Sequence, residues 1–106
     1  MSVQKNISEF SQCIHSASQY LKCLGNQHRL FILCCLSEKP MCVSELLEEI
    51  QISQPLLSQH LKALRDEGIL SHRRIGQKIY YEICDRTSKT IMKTLSEKFQ
   101  SPLKSR

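Results

Sequence analysis

The chain has 106 residues, of which 41% are hydrophobic and 24% charged, and its formal net charge is +5 at neutral pH. This length predicts a single domain over residues 1–106 with a modest core, and the composition is that of a soluble globular protein. The longest apolar run, residues 30–36, is too short to span a bilayer, and the first ten residues lack the apolar core of a signal peptide. We therefore expect a cytoplasmic protein with no membrane partner.

Two helices are predicted in the first third of the chain. The first covers residues 8–24, and its apolar residues recur at alternating three- and four-residue steps, a seam that suits core packing or a second subunit equally well. The second covers residues 27–36 after an Asn26 cap and is apolar almost all round, so we expect it to be the central buried helix. Residues 1–7 and the last six residues are expected to be frayed. The apolar seam of the first helix consists of Phe10, Ile14, Ala17, Leu21 and Leu24.

Residues 53–68 predict one short amphipathic helix with marked ends. Ser53 suits the N-cap, Pro55 suits the first turn, and Gly68 suits a left-handed C-terminal cap. A preceding helix over residues 43–50, with Ser44 as its expected N-cap, is separated from it by only two residues. Two short helices joined so tightly fit a helix-turn-helix, whose second helix enters the major groove of DNA. The apolar stripe of the second helix is Leu57, Leu61 and Leu64.

A hairpin is predicted directly after this pair of helices. Ile69 and Leu70 begin an extended run, Gly76 marks a charged turn, and KIYYEI returns as a strand, with which Val43 is expected to pair briefly. A helix-turn-helix followed by a basic hairpin is a winged helix, so we predict a mainly α fold with a small β-hairpin wing. A last helix over residues 87–99 follows an Asp85 cap. Its apolar face is expected to carry Ile91, Met92, Leu95 and Phe99.

The positive charge is concentrated in the second half of the chain. Residues 1–57 carry four basic and five acidic side chains, a net −1, whereas residues 58–106 carry eleven basic and five acidic side chains, a net +6. The cationic half begins inside the second helix of the pair and includes the wing, which predicts a polyanionic partner, double-stranded DNA. Bases are expected to meet Gln54, Ser58 and Gln59, and phosphates or the minor groove to meet Lys62, Arg65, Arg73, Arg74 and Lys78. For His60, a partial base contact and a hydrogen bond inside the domain are both open.

The phrases LGNQHRLFILCCL, VSELLEEIQISQPLLSQHLKALRDEGIL and RRIGQKIYYEI resemble the ArsR/SmtB family of bacterial repressors. The resemblance covers about residues 20–84. It implies a dimeric winged-helix repressor that leaves its operator when a metal ion, a reactive sulfur species or an oxidant acts on it. The apolar seam of the first helix and the stripe of the last helix predict a homodimer interface, and a two-fold dimer predicts an inverted-repeat operator. The interface residues are expected to be Ile14, Leu21, Ile91, Leu95 and Phe99.

The sequence contains no catalytic constellation, so we expect no enzyme and no cofactor. Six cysteines are present, and for each the simplest interpretation is a small buried hydrophobe, which Cys23 and Cys35 fit best. One metal site of the resembling family uses a C-x-C pair, which here is Cys42 and Ser44. Another uses acids and histidines on the last helix, where no histidine occurs. We therefore expect no metal site, with a non-standard site through Cys42 and Cys13 as the alternative.

Thiol sensing is the favoured switch. ILCCL resembles the sulfide- and redox-responsive members of the family, in which a cysteine of this helix pairs with one near the end of the last helix. Cys34 matches the first position, and Gln100 occupies the second, so Cys34 would be modified alone or linked to Cys13. The resemblance thus implies release from DNA by a reactive sulfur species or oxidant. A winged-helix protein-interaction module is a further alternative, which an apolar or acidic outer face on the second helix would indicate.

Overall fold

The structure is a computed structural model that describes residues 7–99, and these residues form five helices and one three-stranded sheet. The predicted fold class is confirmed. None of the helices in this range combines the length and apolar character needed to cross a membrane. The elements in chain order are α1 (Ile7–Leu24), α2 (Gln27–Leu36), β1 (Met41–Cys42), α3 (Val43–Glu49), α4 (Gln54–Asp66), β2 (Leu70–Ile75), β3 (Lys78–Ile83) and α5 (Arg86–Phe99).

Helix α2 forms one wall of the core. The Asn26 side chain accepts a hydrogen bond from the Arg29 backbone N–H over 3.1 Å, which confirms the predicted cap. Ile32, Leu33 and Leu36 are buried, but Phe31 is 43% exposed. Among residues 7–99, the helix is therefore buried on one face only, and Phe31 on the opposite face is exposed.

The N-cap of helix α3 lies two residues earlier than predicted. The N-cap is Cys42, not Ser44, and the Glu45 carboxylate accepts a hydrogen bond from the Cys42 backbone N–H over 3.1 Å. That hydrogen bond holds the pKa of Glu45 below its ordinary value. The strand pairing that we expected at Val43 is made instead by Met41 and Cys42, which pair with β3. The short strand runs directly into the helix, and this leaves Ser44 inside the first turn.

The wing is an antiparallel hairpin at the edge of the sheet, whose strand order is β1–β3–β2. Leu70 pairs with Ile83 at its base, where both are buried against the core. Ile75 pairs with Lys78 at its tip, and Gly76 follows with φ of +66°, a conformation that glycine adopts without strain. The predicted hairpin is therefore present, and its base is anchored while its tip extends into solvent.

The first and last helices are only partly covered by the rest of the chain. In α1, residues 7–19 are all exposed, and the side chain of Ile14 is 54% exposed, whereas Leu24 lies in the core. In α5, which starts at Arg86, the predicted stripe is divided. Met92 is buried, Ile91 and Leu95 are half-buried against the core, and Phe99 is 63% exposed. The expected fraying of Ile7 is wrong, since α1 begins there, and the other residues of both predicted frayed ends lie outside the described residues.

A polar cluster fastens α1 to the start of α5. The hydroxyls of Tyr20 and Ser88 both donate to the Asp85 carboxylate, and the Ser88 backbone N–H donates to it over 3.1 Å, so that Asp85 caps α5 as predicted. Burial and the hydrogen bond to Asp85 raise the pKa of Tyr20 to about 12. Burial alone would raise the pKa of Asp85, but the hydrogen bonds from Tyr20, from Ser88 and from the Thr87 backbone outweigh it, and the pKa lies below its ordinary value.

Replacing Tyr20 by phenylalanine should therefore destabilise the fold. A hydrogen bond to a charged acceptor contributes roughly 1.5–3 kcal/mol, and Asp85 would lose its Tyr20 donor while it keeps those of Ser88 and the Thr87 backbone. Urea unfolding should show the loss in the free energy of unfolding for Tyr20→Phe. The control Tyr80→Phe changes a half-buried tyrosine of β3 that takes no part in this cluster, and its loss should be smaller. Equal losses in the two variants would contradict this account.

Candidate nucleic-acid interface

The outer face of α4 is polar and cationic because its inner face is held in the core. Leu57, Leu61 and Leu64 are essentially inaccessible to solvent, as predicted. The outer face of the helix presents amide, hydroxyl and cationic groups, which are the donors and acceptors that read base edges and hold phosphates. The exposed predicted residues of this face are Gln54, Ser58, Gln59, Lys62 and Arg65.

Both ends of α4 are fixed by local chemistry. The Ser53 hydroxyl accepts a hydrogen bond from the Leu56 backbone N–H over 3.3 Å at the first turn, where Pro55 also lies. Gly68 has φ of +79° just after the helix, the left-handed conformation expected of a glycine cap. These two caps mark the ends of α4.

His60 belongs to the interior and not to the outer face. Its side chain is only 8% exposed, and Nδ1 lies 3.2 Å from Nη1 of Arg29 in α2. Of the two roles open for His60, the structure shows the hydrogen bond inside the domain. The proposed base contact is corrected accordingly, because the ring faces α2 from the buried side of α4.

Two of the cationic side chains on α4 have partners in the free protein. Lys62 forms an exposed ion pair with Asp66 one turn later, with Nζ and Oδ2 2.8 Å apart. Such a pair stabilises a helix only slightly, so a phosphate can compete for the lysine at little cost. Nη1 of Arg65 lies 3.4 Å from Nδ1 of His72 in β2. The second contact joins the last turn of α4 to the wing.

The register of the wing assigns its basic side chains to two faces. Arg74 pairs with Ile79, and Arg73 pairs with Tyr80. Because successive side chains of a strand point to opposite faces, Arg74 shares a face with His72, the residue that contacts α4. Arg73 lies on the other face, which Lys78 shares through its pairing with Ile75. All three predicted basic residues of the wing, Arg73, Arg74 and Lys78, are exposed.

A cleft of about 450 Å³ separates the wing tip from the starts of α3 and α4. Leu47 and Tyr81 line its apolar part, and Ser44, Gln77 and Lys78 supply polar groups near Gln54. We predicted roles on DNA for Gln54 and Lys78, but not for Ser44, Gln77 or the neighbouring His72. The sequence carried no signal for these three, because His72 and Gln77 reach the side of α4 only when the hairpin folds, and Ser44 was expected to be a helix cap.

The cysteines fall into three environments, and none of the six, all within residues 7–99, forms a disulfide bond. Cys23 is buried as predicted, and burial raises the pKa of its thiol, with Arg29 opposing that shift. Cys42 is buried too, whereas Cys35, which we expected in the core, is half-buried. Cys13 is exposed on α1, on the stretch that no other element of the described chain covers. Gln100, the predicted resolving position, lies outside the described residues.

Cys34 is half-buried and opens into a second cleft, of about 400 Å³. Cys35 and Met41 also line this cleft, and Lys39 is its one lysine among several acids. Within residues 7–99, no group of three or more histidine, cysteine or acidic side chains is arranged to hold a metal ion. The cleft therefore presents a thiol beside a largely acidic wall, which consists of Glu38, Glu45, Glu48 and Glu49.

Residues 26–72 match the family model described as "Bacterial regulatory protein, arsR family". The chain is also 33% identical over 90 residues to the transcriptional activator HlyU of Vibrio cholerae, an alignment that covers 85% of this chain and 83% of HlyU. The chain belongs to the arsR family of bacterial regulatory proteins. The matched segment runs from the cap of α2 into β2, so it contains the whole helix-turn-helix.

Solved structures of the arsR family extend the similarity to the flanking helices. NolR from Sinorhizobium fredii superposes with a TM-score of 0.82 at 34% identity, covering 88% of this chain and 93% of that structure. The transcriptional repressor BigR from Xylella fastidiosa superposes with a TM-score of 0.76 at 31% identity, covering 89% and 96% respectively. The likeness thus includes α1, the wing and α5 as well as the helix-turn-helix.

Proposed function

We propose that this arsR-family protein is a dimeric transcription repressor that binds an inverted-repeat operator in double-stranded DNA. The observation that carries the proposal is the outer face of α4, which is neutral and cationic while its leucine stripe is buried. A protein-interaction module would be expected to present an apolar or acidic face there. The direction of regulation is adopted from BigR, which is named a repressor.

In this proposal, α4 reads bases and the wing holds the backbone. Ser58 and Gln59 lie on the exposed middle turn of α4, and Gln54 lies at its start beside the cleft, so their amide and hydroxyl groups suit base edges. Phosphates, or the minor groove in the case of the wing, would be contacted by Lys62, Arg65, Arg73, Arg74 and Lys78.

The exposed apolar side chains of α1 support a homodimer. Ile14 and Leu21 are more than half exposed, and Phe99 is equally uncovered at the end of α5. A second copy that buried these side chains would remove their apolar surface from water. Ile91 and Leu95 are already half-buried in their own chain, so they would contribute less to such an interface. Two recognition helices of a two-fold dimer would be separated by about 34–36 Å, one turn of DNA.

For the switch, we propose that a reactive sulfur species or oxidant modifies Cys34 and releases the operator. The half-buried thiol and its cleft support access for a small molecule. Adding sulfur or oxygen changes the volume and polarity of a close-packed helix, which favours another packing. A link to Cys13 is the less supported form, because the part of α1 that carries Cys13 does not pack against α2 in the same chain.

Operator binding should be sequence-specific and should weaken steeply with salt. The logarithm of the affinity should fall by about 0.9 per phosphate contact for each unit of log salt concentration. Gln59→Ala should lower discrimination between operator and random duplexes by roughly 1–3 kcal/mol. Arg74→Ala should weaken binding to both duplexes alike. Fluorescence anisotropy titrations at several salt concentrations measure all three effects.

Lys93→Ala is the matched control for Arg74→Ala, since it removes an exposed positive charge from α5 and not from the wing. Its affinity for either duplex should stay near that of the parent. A salt-independent affinity, or equal binding of operator and random DNA by the parent, would refute the proposal. An exchange of the Gln59 and Arg74 effects would refute the roles given to helix and wing.

The dimer is tested by placing a charge on the exposed seam. Ile14→Glu should give a folded monomer, because Ile14 is not part of the core and a charge buried between subunits is costly. Sedimentation velocity should show half the parent mass together with an unchanged circular dichroism spectrum. Ile75→Glu, which alters an equally exposed isoleucine of the wing, should remain dimeric. A dimeric Ile14→Glu protein would mean that the interface lies elsewhere.

The sensor is tested with a Cys34→Ser protein. The parent should lose operator affinity after treatment with peroxide or persulfide, and the variant should keep it, with Cys84→Ser as a control at an exposed thiol. Because the cleft beside Cys34 is largely acidic, a neutral peroxide should react faster than an anionic persulfide. Release of DNA from Cys34→Ser as readily as from the parent would exclude this thiol as the sensor.

A further inference from the structure

We propose that Arg29 and His60 form a positioning pair that holds α4 in its DNA-reading orientation, and that acid weakens operator recognition because only a neutral His60 ring can accept from Arg29. The inference rests on the proposed DNA-binding function and adds a regulatory contact to the same site. Neither residue lies on the proposed DNA-reading face, since Arg29 is half-buried in α2 and the His60 side chain is buried.

Three nitrogen atoms of Arg29 form hydrogen bonds, and these restrict the position of its side chain. Its backbone N–H donates to the Asn26 side chain over 3.1 Å, and its Nε donates to the Cys23 carbonyl at the end of α1 over 2.7 Å. Nη1 then reaches Nδ1 of His60 over 3.2 Å. One side chain thus connects the end of α1, the start of α2 and the middle of α4.

The donor set of arginine determines the state of the histidine ring. A guanidinium has donors but no acceptor, so Nδ1 of His60 must be the acceptor and the ring proton must reside on Nε2. Nε2 is buried and has no hydrogen-bond partner among residues 7–99. The contact therefore exists only for the neutral ring in this one tautomer.

A second proton on the ring would remove the contact. It would turn Nδ1 into a donor directed at a guanidinium, and the hydrogen bond would be replaced by repulsion between two cations. The titratable and charged groups around the ring belong to two helices. In α2 they are Arg29 and His28, and the His28 ring centroid lies 5.3 Å from that of His60. At the end of α1 the group is the Cys23 thiol, on which Glu67 also acts. Burial, Arg29 and His28 all lower the pKa of His60 below 6.5.

Fold stability should follow the same direction. Since the unfolded chain has the higher histidine pKa, the contribution of this group is complete above about pH 6.5 and decreases as the pH falls below that value. His60 follows Ser58 and Gln59 directly in the chain, so a loss of the Arg29–His60 hydrogen bond acts first on the proposed base-reading turn of α4. Operator specificity should therefore decline before general affinity does.

The sign of the pH effect distinguishes the Arg29–His60 pair from the general attraction of positive charge to DNA. His72 is exposed on the wing beside Arg65, on the proposed DNA side. Positive charge added to such a surface in acid should make DNA binding tighter. The positioning pair predicts the opposite for specific binding, namely a loss as the pH falls.

The experiment compares the parent with His60→Asn, Arg29→Met and His72→Asn. The probe is a duplex that the parent selects from a random library at neutral pH, with a scrambled duplex as reference. The ratio of the two affinities is measured by anisotropy from about pH 7.5 to about pH 5.5, the range in which histidine titrates. Circular dichroism at each pH restricts the comparison to folded protein.

The parent and His72→Asn should lose about tenfold or more in this ratio, which corresponds to one pKa unit of coupling. His60→Asn should keep a high ratio at every pH, because an amide oxygen accepts from Arg29 and does not titrate. Arg29→Met should have a low ratio at every pH. A pH-independent ratio in the parent, or a pH-dependent loss that persists in His60→Asn, would overturn the proposal.

A readout without DNA keeps the two proposals distinguishable. Nitrogen NMR of the His60 ring in the full chain should show the Nε2-protonated tautomer, and Arg29→Met should raise the pKa of that ring. The other tautomer, or a pKa unmoved by Arg29→Met, would overturn the pair. If the parent selects no duplex at any pH, the proposed DNA-binding function fails, while the NMR result still decides the pair.

Discussion

The burial of the leucine stripe of α4 is the constraint on which the rest of the site depends. Each fully buried leucine contributes roughly 1.5–3 kcal/mol, and Leu57, Leu61 and Leu64 are all inaccessible to solvent. A rotation of the helix by one residue, about 100°, would expose this stripe and bury polar groups in its place. The outer face is therefore determined by the core. Ser58, Gln59 and Lys62 are available to a partner because the buried leucines hold the opposite face of the helix in the core.

Features that depend on neighbours in sequence were the ones that sequence analysis predicted well. Asn26, Ser53 and Asp85 cap helices through atoms three residues away, and Gly68 adopts the left-handed conformation that ends α4. Such contacts need no knowledge of the remaining chain. The hairpin and the helix pair follow from equally short patterns. The fold class was therefore readable from the sequence, together with the exposed face of α4.

The features that sequence analysis missed depend on distant partners. The cap of α3 moved to Cys42 because β3, about 40 residues later, pairs with the residues before the helix. For His60 the sequence left two roles open, and the contact with Arg29 of α2 decides between them. In α5, Met92 is buried while Phe99 is exposed, a difference that the periodicity of the stripe does not reveal. A periodic pattern shows that a residue is apolar, but not which of two surfaces it will cover.

Helix α2 connects the two proposed signals. Cys34 follows Arg29 by five residues on the same helix, a rise of about 7.5 Å. An α-helix packed on one face transmits displacement as a nearly rigid body, so a modified Cys34 that shifts α2 also shifts the Arg29 guanidinium. The 3.2 Å contact with His60 is already near the long end of the range for a good hydrogen bond, so a shift of a few tenths of an ångström weakens it. If both proposals hold, thiol chemistry and acid therefore converge on the same contact, and the orientation of α4 is the variable that each of them changes.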